Sequence, residues 1–426
     1  MLAPDVSAPA LATAAAAGAD RPSGARPAVV VVYLCAVFGT LSLGMGLVPA
    51  LLTSYRARFG LSGPETANVQ NLKDIGLIVT MVAGPWIMRR LSVPRTTLAS
   101  MLLALAGCAV SATTGSFGGV LAGAFLYGAA FSLGSLAATT QLYRLPERYR
   151  HIAAMFATFG VASFVAPALV GLFAGEGRSP ALVHLVYAAA LVPLLACGLL
   201  MERQERRAGG GARTGPVPAT DPVREAPLSR AVLRRWLPDL VVFAALMAGE
   251  TVVVSWVTSL GQVALHMSLA RASVLLAVLW AVYTPVRALG DVLRGRFSAL
   301  GVIRVGAVLA AAGATLVCFG GAVTVYAGVV VFALGMAPLI PVHQGWVLSR
   351  TPTEHHGSAN AALGISAAGL TTLAVWLTGL TVDVDTRIPF LVSAVLLLAV
   401  AVRCTPFPRL SRNRDTAGTE AGQPWH

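Results

Sequence analysis

Apolar residues along this 426-residue chain gather into twelve stretches, each close to the length that crosses a bilayer, with short polar turns between them. A hydrocarbon core about 30 Å thick takes about 20 helical residues to span. The stretches predict helices at about 28–52, 66–88, 96–114, 118–141, 153–174, 181–201, 237–261, 272–292, 302–320, 323–348, 358–380 and 387–403. They fall six and six around a polar segment at 202–236, Gly-rich at 209–211 and then rich in Pro and Arg, which reads as a flexible linker. The pattern predicts an all-α membrane protein of twelve transmembrane helices, with an N-terminal half at 28–201 and a C-terminal half at 237–405. Residues 1–27 and 406–426 read as tails. The first, rich in Ala and Pro, has no basic start followed by an apolar core, so it is not read as a signal peptide.

The halves echo each other at an offset of 206 residues. Gly84, Arg90 and Ser92 match Gly290, Arg296 and Ser298, and Pro146 and Ala153 match Pro352 and Ala359. The matches fall in equivalent loops, after spans two and eight and after spans four and ten, which points to duplication and two pseudo-symmetric halves.

Only 12% of the residues are charged and 56% are hydrophobic. A soluble protein carries about a quarter charged residues, so a water-soluble fold is excluded. The net charge of +13 comes from Arg placed mostly in short loops and in the linker. If the N-terminus lies inside, those loops are cytoplasmic, as the positive-inside rule requires. The surplus therefore reads as topology and not as nucleic-acid binding, and both termini are expected in the cytoplasm. The five cysteines are scattered without a CxxC pair, so neither a disulfide framework nor a metal site is expected.

Six plus six helices, a central linker and an echoed loop resemble the major facilitator superfamily over roughly residues 28–405. The loop after span two reads Gly84-Pro-Trp-Ile-Met88-Arg89-Arg90-Leu-Ser-Val-Pro-Arg95, similar to the family's Gly-x-x-x-Asp-Arg loop with Met88 in the Asp place. Its second copy, Arg287-Ala-Leu-Gly290-Asp291-Val-Leu-Arg294-Gly-Arg296, keeps an acid and several Arg. Ala166-Pro167-Ala-Leu-Val170-Gly171 is similar to a weakened antiporter motif, and Gly249-Glu250 with Trp256 is similar to the seventh span of fucose-permease-like carriers. The resemblance implies substrate binding between the halves near mid-membrane and alternating access by rocking. It also implies a monomer.

Charges inside a span are costly and mark functional candidates. Glu250 lies near mid-depth of span seven among Ala248, Gly249, Thr251 and Val252, surroundings that suit reversible protonation. Lys73, the one lysine of the chain, and Asp74 lie on span two. Sequence neighbours on a helix do not share a face, so at least one of them is expected to find a partner on another helix or reach water. Lys73 is read as contacting an anionic substrate or pairing with Glu250, or else as snorkelling to the surface with Asp74. Asp74 and Glu250 are the proton-coupling candidates. Arg287 and Asp291, four residues apart, are expected to pair as a gate, with Arg89, Arg90, Arg294 and Arg296 as further gating residues. Tyr33, Gln141, His343, Gln344, Trp346, Asn360 and Trp376 are candidate cavity residues. Pro338 and Pro341 are expected to break span ten beside His343.

No GxSxG, HExxH or P-loop pattern occurs, so neither an enzyme nor an ATP-driven pump is expected, and no cofactor. The expected partners are a small-molecule substrate, protons and the lipid bilayer of a bacterial inner membrane. Few Asn or Gln lie in the spans, which favours proton-coupled export of an amphipathic drug or secondary metabolite. The span-seven match points instead to uptake of a sugar-like solute. A membrane-embedded enzyme or lipid flippase using His343 and Glu250 is the remote alternative.

Overall fold

The computed structural model describes residues 27–149, 151–174, 179–207, 230–288, 296–352 and 356–404. The residues read as tails, and most of those read as linker, lie outside them.

Every expected span is helical. The first half comprises α1 (Pro27–Phe59), α2 (Gly63–Arg90), α3 (Val93–Thr113), α4 (Phe117–Tyr143), α5 (Ile152–Phe173) and α6 (Ala181–Arg207). The second comprises α7 (Arg230–Val263), α8 (Leu269–Ala288), α9 (Ala299–Cys318), α10 (Ala322–Met336), α11 (Leu339–Ser349), α12 (His356–Val382) and α13 (Ile388–Arg403). Helices α6 and α7 run further than expected, so both flanks of the segment read as linker are helical. Span ten is two helices. Pro338, without an N–H, sits where the ladder breaks between α10 and α11, while Pro341 falls in the first turn of α11, where no N–H is needed.

Among the described residues ten helical segments are long and apolar enough to cross a membrane, α10 and α11 counting as one. Helix α2 is long enough at 28 residues but carries polar side chains, and α13 has 16 residues, about 24 Å of helix. Large apolar side chains such as Leu102, Val161, Val241, Val305 and Val395 face outward, while Lys73, Glu250, His184 and His343 are buried. Polar groups inside and apolar groups outside are the arrangement of a bundle solvated by lipid.

Helix pairing repeats between the halves. Helix α1 packs on α5 as α7 packs on α12, and α3 packs on α4 as α9 packs on α10. The halves meet through two equivalent contacts, α2 on α12 and α5 on α8. In lipid, such packing relies on close approach of small residues more than on hydrophobic burial. Within the first half, a buried polar knot adds to it: His184 of α6 is bonded through Nε2 to Tyr55 Oη (2.7 Å) and through Nδ1 to Tyr127 Oη (2.8 Å). A neutral imidazole donates with one nitrogen and accepts with the other, so this one ring ties α1, α4 and α6 together.

At the end of the bundle away from the chain termini, the halves are closed against each other. A Cβ at Gly63 would lie 2.0 Å from the Gly379 carbonyl oxygen, so the backbones of α2 and α12 touch. Asp383, just past α12, pairs with Arg56 of α1 and accepts a hydrogen bond from the Gly63 N–H (2.7 Å) at the first turn of α2. A carboxylate there also meets the positive end of the helix dipole. Asp383→Asn keeps the shape and removes the charge. It is expected to cost the closed state about 1–2 kcal/mol, roughly a five- to thirtyfold shift toward opening. Electron–electron resonance distances between spin labels at positions 60 and 264, in a background without the native cysteines, check this. An unchanged distance distribution would remove Asp383 from the closure.

Candidate substrate cavity

Between the halves lies a cavity of about 440 Å³. Its walls come from α1, α2, α4 and α5 of the first half and from α7, α8, α11 and α12 of the second. Most of the lining is apolar or aromatic: Met45, Phe131 and Phe159 on one side, Phe243, Met247 and Trp280 on the other. The cavity reaches toward the face that carries the chain ends. There, its lining residues Met81 and Phe156 are 36% and 53% exposed.

Four charged side chains line it: Lys73, Asp74, Glu250 and Arg287. Lys73 Nζ lies 3.1 Å from Asp74 Oδ1, and Gln70 Nε2 donates to Asp74 Oδ2 at 3.3 Å. Of the two expected outcomes, a partner on another helix or a path to water, no ion pair to another helix is found among the described residues, and both side chains line the cavity. Their Cβ atoms do point apart, but the four-carbon lysine stem folds back along the helix to its neighbour. Lys73 is therefore paired within α2 and not with Glu250, and both groups face the cavity and not the outer surface. The backbone beneath them is fixed by α4: a Cβ at Gly128 would lie 1.8 Å from the Lys73 carbonyl oxygen.

Glu250 is buried in α7, about 20 Å of helix from its far end at Val263. Tyr283 of α8 donates its hydroxyl to Glu250 Oε2 at 2.9 Å. Ser393 of α13 donates to the Gly249 carbonyl at 2.8 Å and pins the backbone behind it. One turn along α8 from Tyr283, Arg287 points back toward the cavity, its guanidinium carbon 5.7 Å from the Tyr283 ring centre. It lines the same cavity as Glu250, yet among the described residues it holds no ion pair within 4 Å. Arg287 is thus a cavity residue. Its expected gate partner Asp291, and Arg294, lie outside the described residues. The side chains of Arg89 and Asn360 do as well. Arg90 is exposed and stacks on Trp86 (4.4 Å), and Arg296 is exposed.

Of the other cavity candidates, only Gln344 lines the wall. His343, next to it, turns behind the wall between Phe243 and Trp346, with ring centres 5.8 Å away in each case. Its helix face is set by the restart of α11 after Pro338. Trp346 carries Arg350 on its ring (4.4 Å) outside the cavity. Tyr33 packs against Gly198 of α6, Gln141 lies near the other end of α4, outside the cavity lining, and Trp376 is 40% exposed on the outside of α12. Trp256 is fully buried and donates to Thr378 Oγ1 at 3.0 Å, so it joins α7 to α12 outside the cavity lining. The sequence reading passed over Trp280, Tyr283 and Gln70. The first two had a signal: Trp280, Tyr283 and Arg287 recur at i, i+3 and i+7, one face of one helix.

The Lys73–Asp74 pair is buried, with side-chain exposures of 7% and 14%. Removing one partner of such a pair leaves a lone charge, whereas removing both is close to neutral. Lys73→Met and Asp74→Leu are each expected to lose about 2–4 kcal/mol, the cavity water relieving part of the penalty. The double variant is expected to recover most of it. Melting in detergent reads this, and a double variant no more stable than the singles would contradict a paired arrangement.

A search of curated proteins by sequence returns no significant match. Among solved structures, the chain is similar to the nucleoside transporter NupG (13% identity, TM-score 0.69, 88% of this chain and 98% of that one). It is also similar to a D-xylose-proton symporter (14%, TM-score 0.68, 88% and 97%) and a POT family transporter in complex with a thioalcohol-conjugated peptide (12%, TM-score 0.68, 87% and 94%). At these identities the likeness shows the fold. The family model of the Major Facilitator Superfamily matches residues 29–366, and with twelve spans in two related halves around a central cavity the chain belongs to that superfamily of membrane transporters.

Proposed function

We propose that this protein is a proton-coupled secondary transporter that moves a small amphipathic organic compound by alternating access, with Glu250 as the group that takes up and releases the proton. The observation that carries the reading is Glu250 itself: a buried carboxylate on the cavity wall, hydrogen-bonded to Tyr283 of α8, the helix that also brings Arg287 to the cavity. A carboxylate in a low-dielectric wall exchanges a proton whenever its charged neighbours move, and those neighbours sit on α8, at the contact between the halves. Asp74 already holds Lys73 and Gln70, which leaves it the lesser candidate.

The apolar lining supports a drug-like or metabolite substrate over a free sugar. The loop arginines support cytoplasmic termini, most simply in a bacterial inner membrane, and with that orientation the cavity opens to the cytoplasm. Export is the direction that a cytoplasm-facing, largely apolar cavity favours. A second reading, uptake by symport, is favoured by the fold shared with a D-xylose-proton symporter.

Proton movement in sealed proteoliposomes, followed with a pH-sensitive dye, tests the reading. A transported compound is expected to drive proton flux in the wild type, and Glu250→Gln is expected to abolish it while leaving counterflow of the compound. Flux opposite to the compound means export by antiport, and flux along with it means symport. Equal proton flux in both proteins would rule Glu250 out as the coupling group.

A further inference from the structure

Of the four charges in the cavity, three are already engaged. Lys73 and Asp74 hold each other on one helix, and Glu250 takes the Tyr283 hydroxyl. Arg287 is different: it lines the cavity and touches the Tyr283 ring, but none of its five N–H donors meets a carboxylate among the described residues. Among the described residues the remaining walls add no charge that could serve it. Helices α1, α4, α5, α11 and α12 line the cavity with apolar residues and a few neutral polar ones such as Ser163, Gln344 and Thr371. His343 of α11 faces Phe243 and Trp346 behind the wall. A guanidinium with its planar fork unspent, in surroundings that strengthen charge interactions, matches the geometry of a carboxylate or another oxyanion.

We infer that the transported compound is a small organic anion with an aromatic or aliphatic body, its acidic group docked on Arg287 and its body among Phe159, Met247 and Trp280. The inference rests on the transporter reading above and deepens it. Trp280 and Arg287 are two helical turns apart on the same face of α8, so a ligand lying along that face meets a ring at one end and a guanidinium at the other. A cavity of about 440 Å³ admits a compound of that size and no large polyanion. Charge counting gives the coupling. With all four groups ionised, the cavity is neutral. An anion on Arg287 makes it negative unless a proton joins Glu250, which competes with the ligand for the same guanidinium. Anion and proton therefore bind together, and the loaded and empty cavities are both neutral when they cross the membrane. This selects symport, the second of the two readings above, over the export that the apolar lining alone favours.

Binding in detergent tests the assignment without any need for transport, by quenching of the tryptophan emission that Trp280→Phe removes. The probes are 4-phenylbutyrate, octanoate and benzenesulfonate, with 4-phenylbutyramide and 4-phenylbutylamine as neutral and cationic counterparts of the first. At least one anion is expected to bind saturably, and at least tenfold tighter than the amide or the amine. Arg287→Gln is expected to weaken it tenfold or more and Arg287→Lys less. Arg304→Gln, which removes an exposed arginine on α9, is expected to leave it unchanged. If Arg287→Gln fails to fold, Arg287→Lys still has to weaken binding. Tighter binding of the amine or amide, no binding by any anion, or anion binding indifferent to position 287 would overturn the assignment. Anion binding without proton flux in proteoliposomes would instead sink the coupling role of Glu250 and leave the anion site standing. Proton flux driven only by neutral or cationic compounds would do the reverse.

Discussion

The interior of this bundle has little water to spare, and each charge inside it has to be answered by something at hand. That requirement shapes the cavity. Lys73 folds back onto Asp74, its ion-pair partner among the described residues, and the pair then travels with α2 as one unit. Glu250 and Arg287 sit in different helices and line the same cavity without an ion pair within 4 Å. A contact held within one helix survives any rigid movement of the halves. The looser relation between α7 and α8 changes with small shifts of either helix. The first pair is fit for structure and the second for a cycle.

The contacts between the halves divide the labour in the same way. At the end away from the termini, glycines bring the α2 and α12 backbones together and Asp383 bonds both α1 and α2. Toward the other end, Met81 and Phe156 line the cavity and are partly exposed, and the cavity is reached beside them. The pseudo-symmetric pairing of α2 with α12 and α5 with α8 allows the same seams to hinge in both directions, since each half presents the other with an equivalent surface.

Much of the fold was legible because lipid enforces a simple code. An apolar run of spanning length has to be a helix, and all twelve runs are. The helix boundaries at the linker were less legible, because a helix such as α6 continues into water through Met201-Glu-Arg-Gln-Glu205 without an apolar signal. In the site, the membrane charges were found because they are rare: Glu250, Lys73 and Asp74 stand out in any apolar span. Of the aromatic and amide candidates only Gln344 lines the cavity, since Tyr33, Trp346 and Trp376 look the same in sequence whether they face the cavity, a neighbouring helix or lipid. Rotation about the helix axis decides among these, and it is set by packing. The contact of Lys73 with Asp74 itself was not legible for a related reason. A rule about Cβ directions does not bind a side chain with four rotatable bonds.

The touching backbones of Gly63 and Gly379 bear on efficiency as well as on shape. Under the proton coupling proposed above, the carrier would dissipate its gradient if its shut end admitted even a thread of water along which protons hop. Side chains meeting across a seam leave crevices as they fluctuate, whereas two backbones in direct contact leave no room for a chain of solvent. The glycine seam is thus a seal against short circuit. A larger residue on either side would leave a carrier that still turns over yet heats its membrane for nothing.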